Sequence, residues 1–298
     1  MLYHYTGMKG LNGILESKRL WLVSSQSMSD ITDRFYGNLF STVALLKSED
    51  QDIKLLREHL TAQDIIDINM QTFQVDFYSA SFCDRSDNDY LWEKYADSNK
   101  GVCIGIDDTY LNNFFLATIR EKFNYLEGDE ESNVKNDLLN QRKVLYHYPV
   151  GDFEKIVKLL RPDDYTLSNN ANVYKDWLFF TICILAGIVK AKKFDKEDEI
   201  RLLFQNRYSD EYIKHCGIYA LEKMRMAKAF ELLGIDKEIM GKENRRMELN
   251  LTEAFKSDLI QTITIGNDFD GNIEDLKTRI KEFGLTETKL LNRKGVVL

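Results

Sequence analysis

The chain has 298 residues, of which 44% are hydrophobic and 30% charged, and its formal net charge is -8 at pH 7. This composition is typical of a globular protein with a large core and excludes a disordered chain. A pI near 5.2 argues against the broad basic surface of a nucleic-acid-binding protein, although a local basic groove stays compatible with it.

The cysteines and the longest apolar stretch suggest a cytoplasmic location. Four cysteines are widely spaced and form no CxxC pair, which predicts reduced thiols: Cys83, Cys103, Cys183 and Cys216. The stretch from Trp177 to Val189 is shorter than the roughly 20 residues that span a bilayer, so we predict a buried helix. Neither a leader nor a membrane partner is expected.

The first predicted elements are a strand, a helix and a strand. In LYHYTG the side chains alternate, so His4 and Thr6 share one face of a strand that Gly7 ends. A helix follows over MKGLNGIL, and RLWLVSS is the second strand. A helical segment over about residues 40–70 is expected to insert over one edge of the sheet.

The later segments add strands and helices to the same pattern. Strands are predicted in six of them: FQVDFYSASFC, GVCIGID, KVLYHYPV, EIRLLF, RMELNL and IQTITIG. Helices are predicted in YLWEKYA and over residues 173–189 and 273–283. The whole predicts an α+β fold, a single mixed α/β domain over residues 1–298, with helical insertions at about 40–70, 110–142 and 210–240.

Two strands carry side chains that suit a binding site. His4 and Thr6 offer an imidazole and a hydroxyl, and the alternative is a structural histidine at a sheet edge. Ser24 and Ser25 add two hydroxyls at the end of the second strand, a weak signal because serines often end strands.

A late charged strand is the stronger candidate. In FDKEDEIRLLF, strand alternation places Glu197, Glu199 and Arg201 on one face, opposite an apolar face. That face is either a solvated edge, which the bare charge pattern favours, or one wall of a polar cleft.

Two aromatic residues are candidates for contact with a ligand, and the absence of several motifs leaves some kinds of catalytic site without support. Trp92 and Tyr95 are three residues apart on one face of a short helix, where they either fill the core or stack on a planar ligand. The sequence has no HExxH, GxGxxG, GxxxxGK[ST] or GxSxG, so zinc catalysis and several nucleotide and hydrolase sites have no support.

Several segments together resemble the bacterial family known as DUF2971: LYHYTG, LNGILESKRLWLVSS, SDITDRF, SASFCDRSDNDYLWEKYADSNKGVCIGID and KFDKEDEIRLLF. The resemblance runs nearly end to end, and its most specific part is the aromatic helix before GVCIGID followed by the E-x-E-x-R strand. The activity of that family is poorly known.

The strand order is also similar to that of ADP-ribosyltransferases with an early histidine strand and a late catalytic glutamate. This similarity implies a split sheet that binds NAD as a substrate, without a metal. It implies NAD contacts from His4 and Thr6 and a catalytic Glu199, with Glu197 as its rival and Arg201 beside it. We expect His4 and Glu199 to face one cleft.

The second strand departs from the pattern of that superfamily, because WLVSS has no tyrosine to stack on nicotinamide. Ser24 and Ser25 stand there instead. The stacking residue is therefore open among four aromatic residues: Trp92, Tyr95, Tyr36 and Tyr5.

The resemblance implies an ADP-ribosyltransferase-like enzyme of the bacterial cytoplasm, a toxin or an antiviral (phage defence) effector, with a protein or nucleic acid as acceptor. Two alternatives stay open. One is a non-catalytic module of the same fold that senses a nucleotide or a partner. The other is an enzyme that only hydrolyses NAD or transfers a phosphate.

Overall fold

The computed structural model describes residues 1–28, 31–73, 75–109, 140–147, 171–205, 246–252, 254–256 and 259–298. Its strands are β1 (Leu2–Thr6), β2 (Arg19–Ser24), β3 (Phe77–Cys83), β4 (Val102–Ile106), β5 (Asn140–Lys143), β6 (Leu145–His147), β7 (Val189–Ala191), β8 (Glu199–Gln205), β9 (Arg246–Asn250), β10 (Ile260–Ile265) and β11 (Lys289–Asn292). Its α-helices are α1 (Met8–Ser17), α2 (Ile31–Lys47), α3 (Gln51–His59), α4 (Ala62–Thr72), α5 (Asp89–Tyr95), α6 (Ala171–Ile188) and α7 (Ile273–Glu282), and two 3₁₀ helices span Lys192–Glu197 and Ala254–Lys256.

Nine of these strands form one mixed sheet. Its order is β11-β10-β4-β1-β3-β2-β9, and β8 pairs with β3 and carries β5 on its other side. The β10–β11 pair is parallel, whereas the pairs that β1, β3 and β8 make are antiparallel. A separate two-stranded sheet joins β6 and β7 in parallel.

The sheet is open along one edge of β3. Strand β8 pairs with β3 over its whole length, from Phe77 to Cys83, so β1 and β2 must share the opposite edge. Strand β1 takes the end at Cys83, and β2 takes the end at Ser79. The two strands diverge between these points, which leaves a gap beside the middle of β3.

Apolar side chains cover both faces of the sheet. Helices α1 and α7 pack on one face through Leu11, Leu15, Leu276 and Ile280. Helices α2, α3, α4 and α6 form a second cluster that meets β3 and β8 at Phe77 and Leu203. Capping residues start several helices: Asp50 before α3, Thr61 with a capping box before α4, Asn88 before α5 and Asn272 before α7.

Most predicted elements are confirmed, and the mixed helix-and-sheet class is correct. The Trp177–Val189 stretch lies mainly in α6, whose Leu178, Phe179 and Ile182 are buried. No helix in the part of the chain that the structure describes is long and apolar enough to cross a membrane. Among the described residues, Cys83, Cys103 and Cys183 are buried and form no disulfide.

Two boundaries differ from the prediction. The expected strand over residues 73–83 begins only at Phe77, because α4 continues to Thr72. The helical segment at 40–70 consists of three helices that begin at Ile31. Of the expected helical insertion at 110–142, residues 110–139 lie outside the described ranges and residues 140–142 form part of β5. The insertion at 210–240 and Cys216 also lie outside them.

Candidate functional site

A cavity of about 820 Å³ lies at the gap between β1 and β2. Its walls come from β1, β2, β3, α5, β7, the first 3₁₀ helix and β8: Tyr3, His4, Tyr5, Trp21, Val23, Ser27, Met28, Ser79, Ala80, Ser81, Phe82, Leu91, Lys94, Tyr95, Lys190, Phe194, Glu197, Glu199 and Arg201. Six of the eleven residues singled out in the sequence therefore line it: His4, Tyr5, Tyr95, Glu197, Glu199 and Arg201.

Glu199 lies in this cavity at the first position of β8, where three side chains hold its carboxylate. Its Oε1 accepts a 2.9 Å hydrogen bond from Nε of Arg201 and a short one from the Ser81 hydroxyl. Its Oε2 accepts one from Nζ of Lys190 at 3.0 Å. Arg201 is held in turn by the Gly187 carbonyl at 2.7 Å from Nη1. The carboxylate thus has a fixed position.

Glu197 shares the same lysine. Its Oε2 lies 2.7 Å from Nζ of Lys190, and its Oε1 accepts hydrogen bonds from Lys94 at 2.7 Å and from the Tyr95 hydroxyl at 2.8 Å. Side chains of Glu197, Glu199 and Lys190 are all more than nine-tenths buried. The solvated edge that the charge pattern favoured is wrong, because these charges form a buried network.

The charges of this network favour ionised carboxylates. Burial acts to raise the pKa of Glu199, but the positive charges of Arg201 and Lys190 and the hydrogen bonds from Arg201 and Ser81 outweigh it and lower that pKa to about 2. The pKa of Glu197 is also lowered, since Lys190 and Lys94 outweigh the effect of its burial. Burial first of all, and the neighbouring carboxylate, raise the pKa of Tyr95 to about 12.

Glu197 reaches the cavity by a route that strand alternation does not describe. It is the last residue of the 3₁₀ helix, and Asp198 turns the chain with a φ of 46° before β8 begins. The prediction that Glu197 continues the face of Glu199 along one strand is therefore wrong in its local structure. The two carboxylates still meet, because Lys190 bridges them.

His4 lies across the gap from the carboxylates. It pairs with Ile104 in β4 and its ring packs against Phe82, so it shares their face of the sheet, whereas Glu199 pairs with Cys83 and bonds to Ser81 on the other face. His4 and Glu199 were expected to face one cleft, and both line this cavity, although they lie on opposite faces of the sheet, because the sheet is open there.

A hydrogen bond to β3 holds the His4 side chain at the gap. Its Nδ1 donates a 2.9 Å hydrogen bond to the Ser81 carbonyl, because a carbonyl oxygen only accepts. Burial lowers the pKa of His4, with the Ser81 contact as a smaller opposing effect, so the imidazole is neutral at pH 7 and its Nε2 is an acceptor. The side chain closes an edge position of β3 that β1 and β2 leave open.

Five residues predicted for the site do not line the cavity: Thr6, Ser24, Ser25, Trp92 and the stacking candidate Tyr36. Thr6 lies on the same face of β1 as His4. Its Oγ1 lies against Gly10 of α1, since a Cβ added at Gly10 would be only 2.0 Å from this oxygen. Ser24 and Ser25 both donate to the buried Asp76 carboxylate, Ser24 at 2.6 Å. These serines hold β2 against the segment before β3, which is a structural role.

Trp92 and Tyr95 have different surroundings although they are close together in α5. Trp92 is completely buried, donates from Nε1 to the Ser86 carbonyl at 2.9 Å and packs edge-on against Tyr5. Tyr95 is 44% exposed and lines the cavity. The core alternative holds for Trp92, and only Tyr95 of this pair faces the cavity.

Sequence reasoning missed several cavity residues. Tyr3 pairs with Cys83, which pairs with Glu199, so Tyr3 lies on the face that carries the carboxylate. Lys190 stood among four lysines in VKAKKFDKE, with nothing to distinguish it. Ser79 and Ser81 alternate in YSASF, and that spacing was the available signal for a polar face on β3. For Trp21, the available signal was an aromatic residue in the second strand.

A group near the cavity has metal-ligating chemistry but is neutralised. Ligand atoms of Cys83, Asp84 and Asp198 lie within 4.8 Å of one another. Lys143 lies 3.5 Å from Asp84 and 2.5 Å from Asp198, and Arg85 lies 3.5 Å from Asp198. Because cations already hold both carboxylates, we propose no metal at this group.

The chain was compared with known families, curated proteins and solved structures. No curated protein and no solved structure matches it significantly. Residues 91–202 match a family described as "Protein of unknown function (DUF2971)". The match is shorter than the nearly end-to-end resemblance expected, and it includes most of α5, all of β4, Lys190 and both candidate glutamates. Over these residues the chain is similar to the DUF2971 family.

Proposed function

We propose that the chain is an NAD-dependent ADP-ribosyltransferase-like enzyme, which cleaves the bond between nicotinamide and ribose and transfers ADP-ribose to a protein or nucleic acid. One observation carries this proposal. An ionised and firmly held carboxylate, Glu199, lies in an aromatic-walled cavity of about 820 Å³ where two strands of the sheet diverge. That volume is within the range of pockets that hold ligands of nucleotide size.

The chemistry requires a negative charge beside the ribose. When the glycosidic bond breaks, its electron pair goes to the nicotinamide nitrogen and the ribose acquires oxocarbenium character at C1′. The Glu199 carboxylate accepts a hydrogen bond from a ribose hydroxyl and stabilises this positive charge electrostatically. An acceptor nucleophile then forms the new bond to C1′ and gives up its proton, for which Glu197 is the second available base.

Arg201 and Lys190 are positioning residues in this proposal. Arg201 is fixed between Glu199 and the Gly187 carbonyl, and Lys190 bridges the two glutamates. Both keep Glu199 ionised. Tyr3 and Tyr95 supply the aromatic surfaces on the side of Glu199. His4 is assigned to the open edge of β3 and not to catalysis.

A second candidate is a non-catalytic nucleotide-binding module, and two observations favour it. Both oxygens of Glu199 already accept hydrogen bonds from protein donors, so a ribose hydroxyl must compete with them or use a remaining lone pair. His4 and Glu199 also lie on opposite faces of their strands. Such a cavity would bind a nucleotide without cleaving it.

Incubation with NAD, alone and with cell lysate, tests both candidates. Mass spectrometry then measures free nicotinamide and ADP-ribosylated macromolecules. Nicotinamide together with modified macromolecules supports transfer, and their identity tests the role of toxin or antiviral effector. Nicotinamide without modification indicates an NAD hydrolase. Binding of NAD without release of nicotinamide supports the binding module and contradicts the enzyme.

A further inference from the structure

The cavity has a second part, away from the glutamates, that the proposed chemistry does not use. Trp21 and Val23 of β2 lie there opposite Ser79 of β3, which pairs with Val23. Strand alternation places all three on the face that carries Ser81 and Glu199. The surface therefore continues from the carboxylate along the gap to β2.

Ser79 is the first unusual feature of this surface. The residue is only 4% exposed, yet its Oγ has no hydrogen-bond partner among the described residues. Ser81, two residues along the same face, uses its hydroxyl to hold Glu199. A buried hydroxyl without a partner costs free energy, so a group of this kind points to a partner beyond the described residues, such as a bound ligand.

Trp21 is the second unusual feature and is independent of the first. Its side chain is 48% exposed although it lines the cavity. The guanidinium of Arg246, from the neighbouring strand β9, lies 3.6 Å from the centre of the ring, and Arg246 is held by Glu248 at 3.0 Å. The indole thus has a fixed orientation and offers a large planar surface to a ligand.

We propose that Trp21 and Ser79 form a subsite for a planar heteroaromatic ring with a polar edge, stacked on the indole and hydrogen-bonded to the Ser79 hydroxyl. Nicotinamide and adenine both have this chemistry. The inference deepens the proposed function and rests on it for the choice of nucleotide, since the ring belongs to the same molecule whose ribose lies near Glu199.

Calorimetric binding of three probes to the full chain tests the subsite: NAD, nicotinamide mononucleotide and AMP. The variants are Ser79→Ala and Trp21→Leu, with Ser41→Ala as a matched control, because Ser41 is also buried but bonds to the Gly37 carbonyl in α2. We expect Ser79→Ala to weaken binding about fivefold to tenfold and Trp21→Leu about tenfold or more. The mononucleotide that shows the same losses as NAD identifies the ring.

Stability separates this role from a structural one. Because Ser79→Ala removes an unpaired buried hydroxyl, it should leave the melting temperature unchanged or raise it, whereas Ser41→Ala should lower it without changing any dissociation constant. If no probe binds the wild type, or if Ser79→Ala and Trp21→Leu bind every probe as the wild type does, the subsite is refuted. If binding weakens as expected but no nicotinamide is ever released, the subsite stands and the enzyme proposal fails.

Discussion

The stability of the buried network of Glu197, Glu199 and Lys190 should depend strongly on the positive charge of Lys190. Lys190→Met keeps the length of the side chain but leaves Glu197 and Glu199 with one cation fewer. The lowering of the Glu199 pKa from 4.5 to about 2, to which Arg201 contributes more than Lys190, corresponds in total to about 3 kcal/mol at about 1.4 kcal/mol per pKa unit, so Lys190 supplies only part of it. Breaking a buried ion pair from one side costs about 3–5 kcal/mol. We therefore expect the free energy of unfolding at pH 7 to fall by about 3 kcal/mol.

The loss should depend on pH with a defined sign. A depressed carboxyl pKa stabilises the wild type above pH 4.5, and this contribution disappears as the pH falls toward 2. In Lys190→Met the carboxylates are still buried but have lost a shared cation, so their pKa values rise and they protonate at higher pH. The difference between wild type and variant should therefore be largest at pH 7 and should shrink as the pH is lowered to about 4.

Urea denaturation at pH 7 and pH 4 measures both quantities. Lys192→Met is the matched control, since Lys192 is two residues away and pairs with Asp195 at 3.1 Å on the surface, where such pairs contribute less than about 1 kcal/mol. A loss in Lys190→Met no larger than in the control, or one that is equal at both pH values, would refute the reasoning.

Four further substitutions test the fold. Trp92→Ala should lower the free energy of unfolding by about 3–5 kcal/mol in urea denaturation, as for a core aromatic residue, and a loss below about 1 kcal/mol would contradict its buried role. Gly37→Ala should lower the melting temperature, because the new Cβ would lie 2.3 Å from a backbone oxygen of α6. Gly13→Ala, where the new Cβ meets open space in α1, should instead raise the free energy of unfolding by about 0.5–1 kcal/mol. Equal effects of the two substitutions on the melting temperature would be inconsistent with this packing. Ser25→Ala should cost about 1–3 kcal/mol by urea denaturation, because buried Asp76 loses a donor, and an unchanged midpoint would count against that contact.

Local patterns predicted the elements well, because alternation and helical spacing reflect which side is buried. The strands that begin the chain and the late strand of Glu199 are where the sequence places them. Register across the sheet depends on contacts between distant segments, and no local pattern encodes it. His4 was expected to face one cleft with Glu199, and both line the cavity, but Tyr3 is the β1 residue that shares the face of Glu199.

The candidate site was predictable in part for the same reason. Glu199 and Arg201 were identified because a charged face opposite an apolar one is visible in a single strand. That this face is buried could not be predicted from the strand alone, because its partners lie outside it. Lys190 belongs to β7, and Glu197 to the 3₁₀ helix before β8. Their spacing could not show which of Trp92 and Tyr95 is buried. Contacts with distant residues decide it: Arg293 lies 5.1 Å over the Trp92 ring, and Tyr5 packs edge-on against that ring.

Nicotinamide release from NAD by the wild type, Glu199→Gln and Glu197→Gln tests the central claim most directly. The amide keeps the size of Glu199 but removes its charge, so we predict a loss of about a hundredfold to a thousandfold in turnover, with a much smaller loss for Glu197→Gln. Circular dichroism at the assay temperature must show that each variant is folded, since both substitutions also leave Lys190 with one carboxylate fewer. Comparable losses in both variants would mean a shared carboxylate site, and a reversed order would move the catalytic role to Glu197. Absence of turnover in the wild type, or equal turnover in wild type and Glu199→Gln, would contradict the claim that Glu199 stabilises the cleavage of NAD.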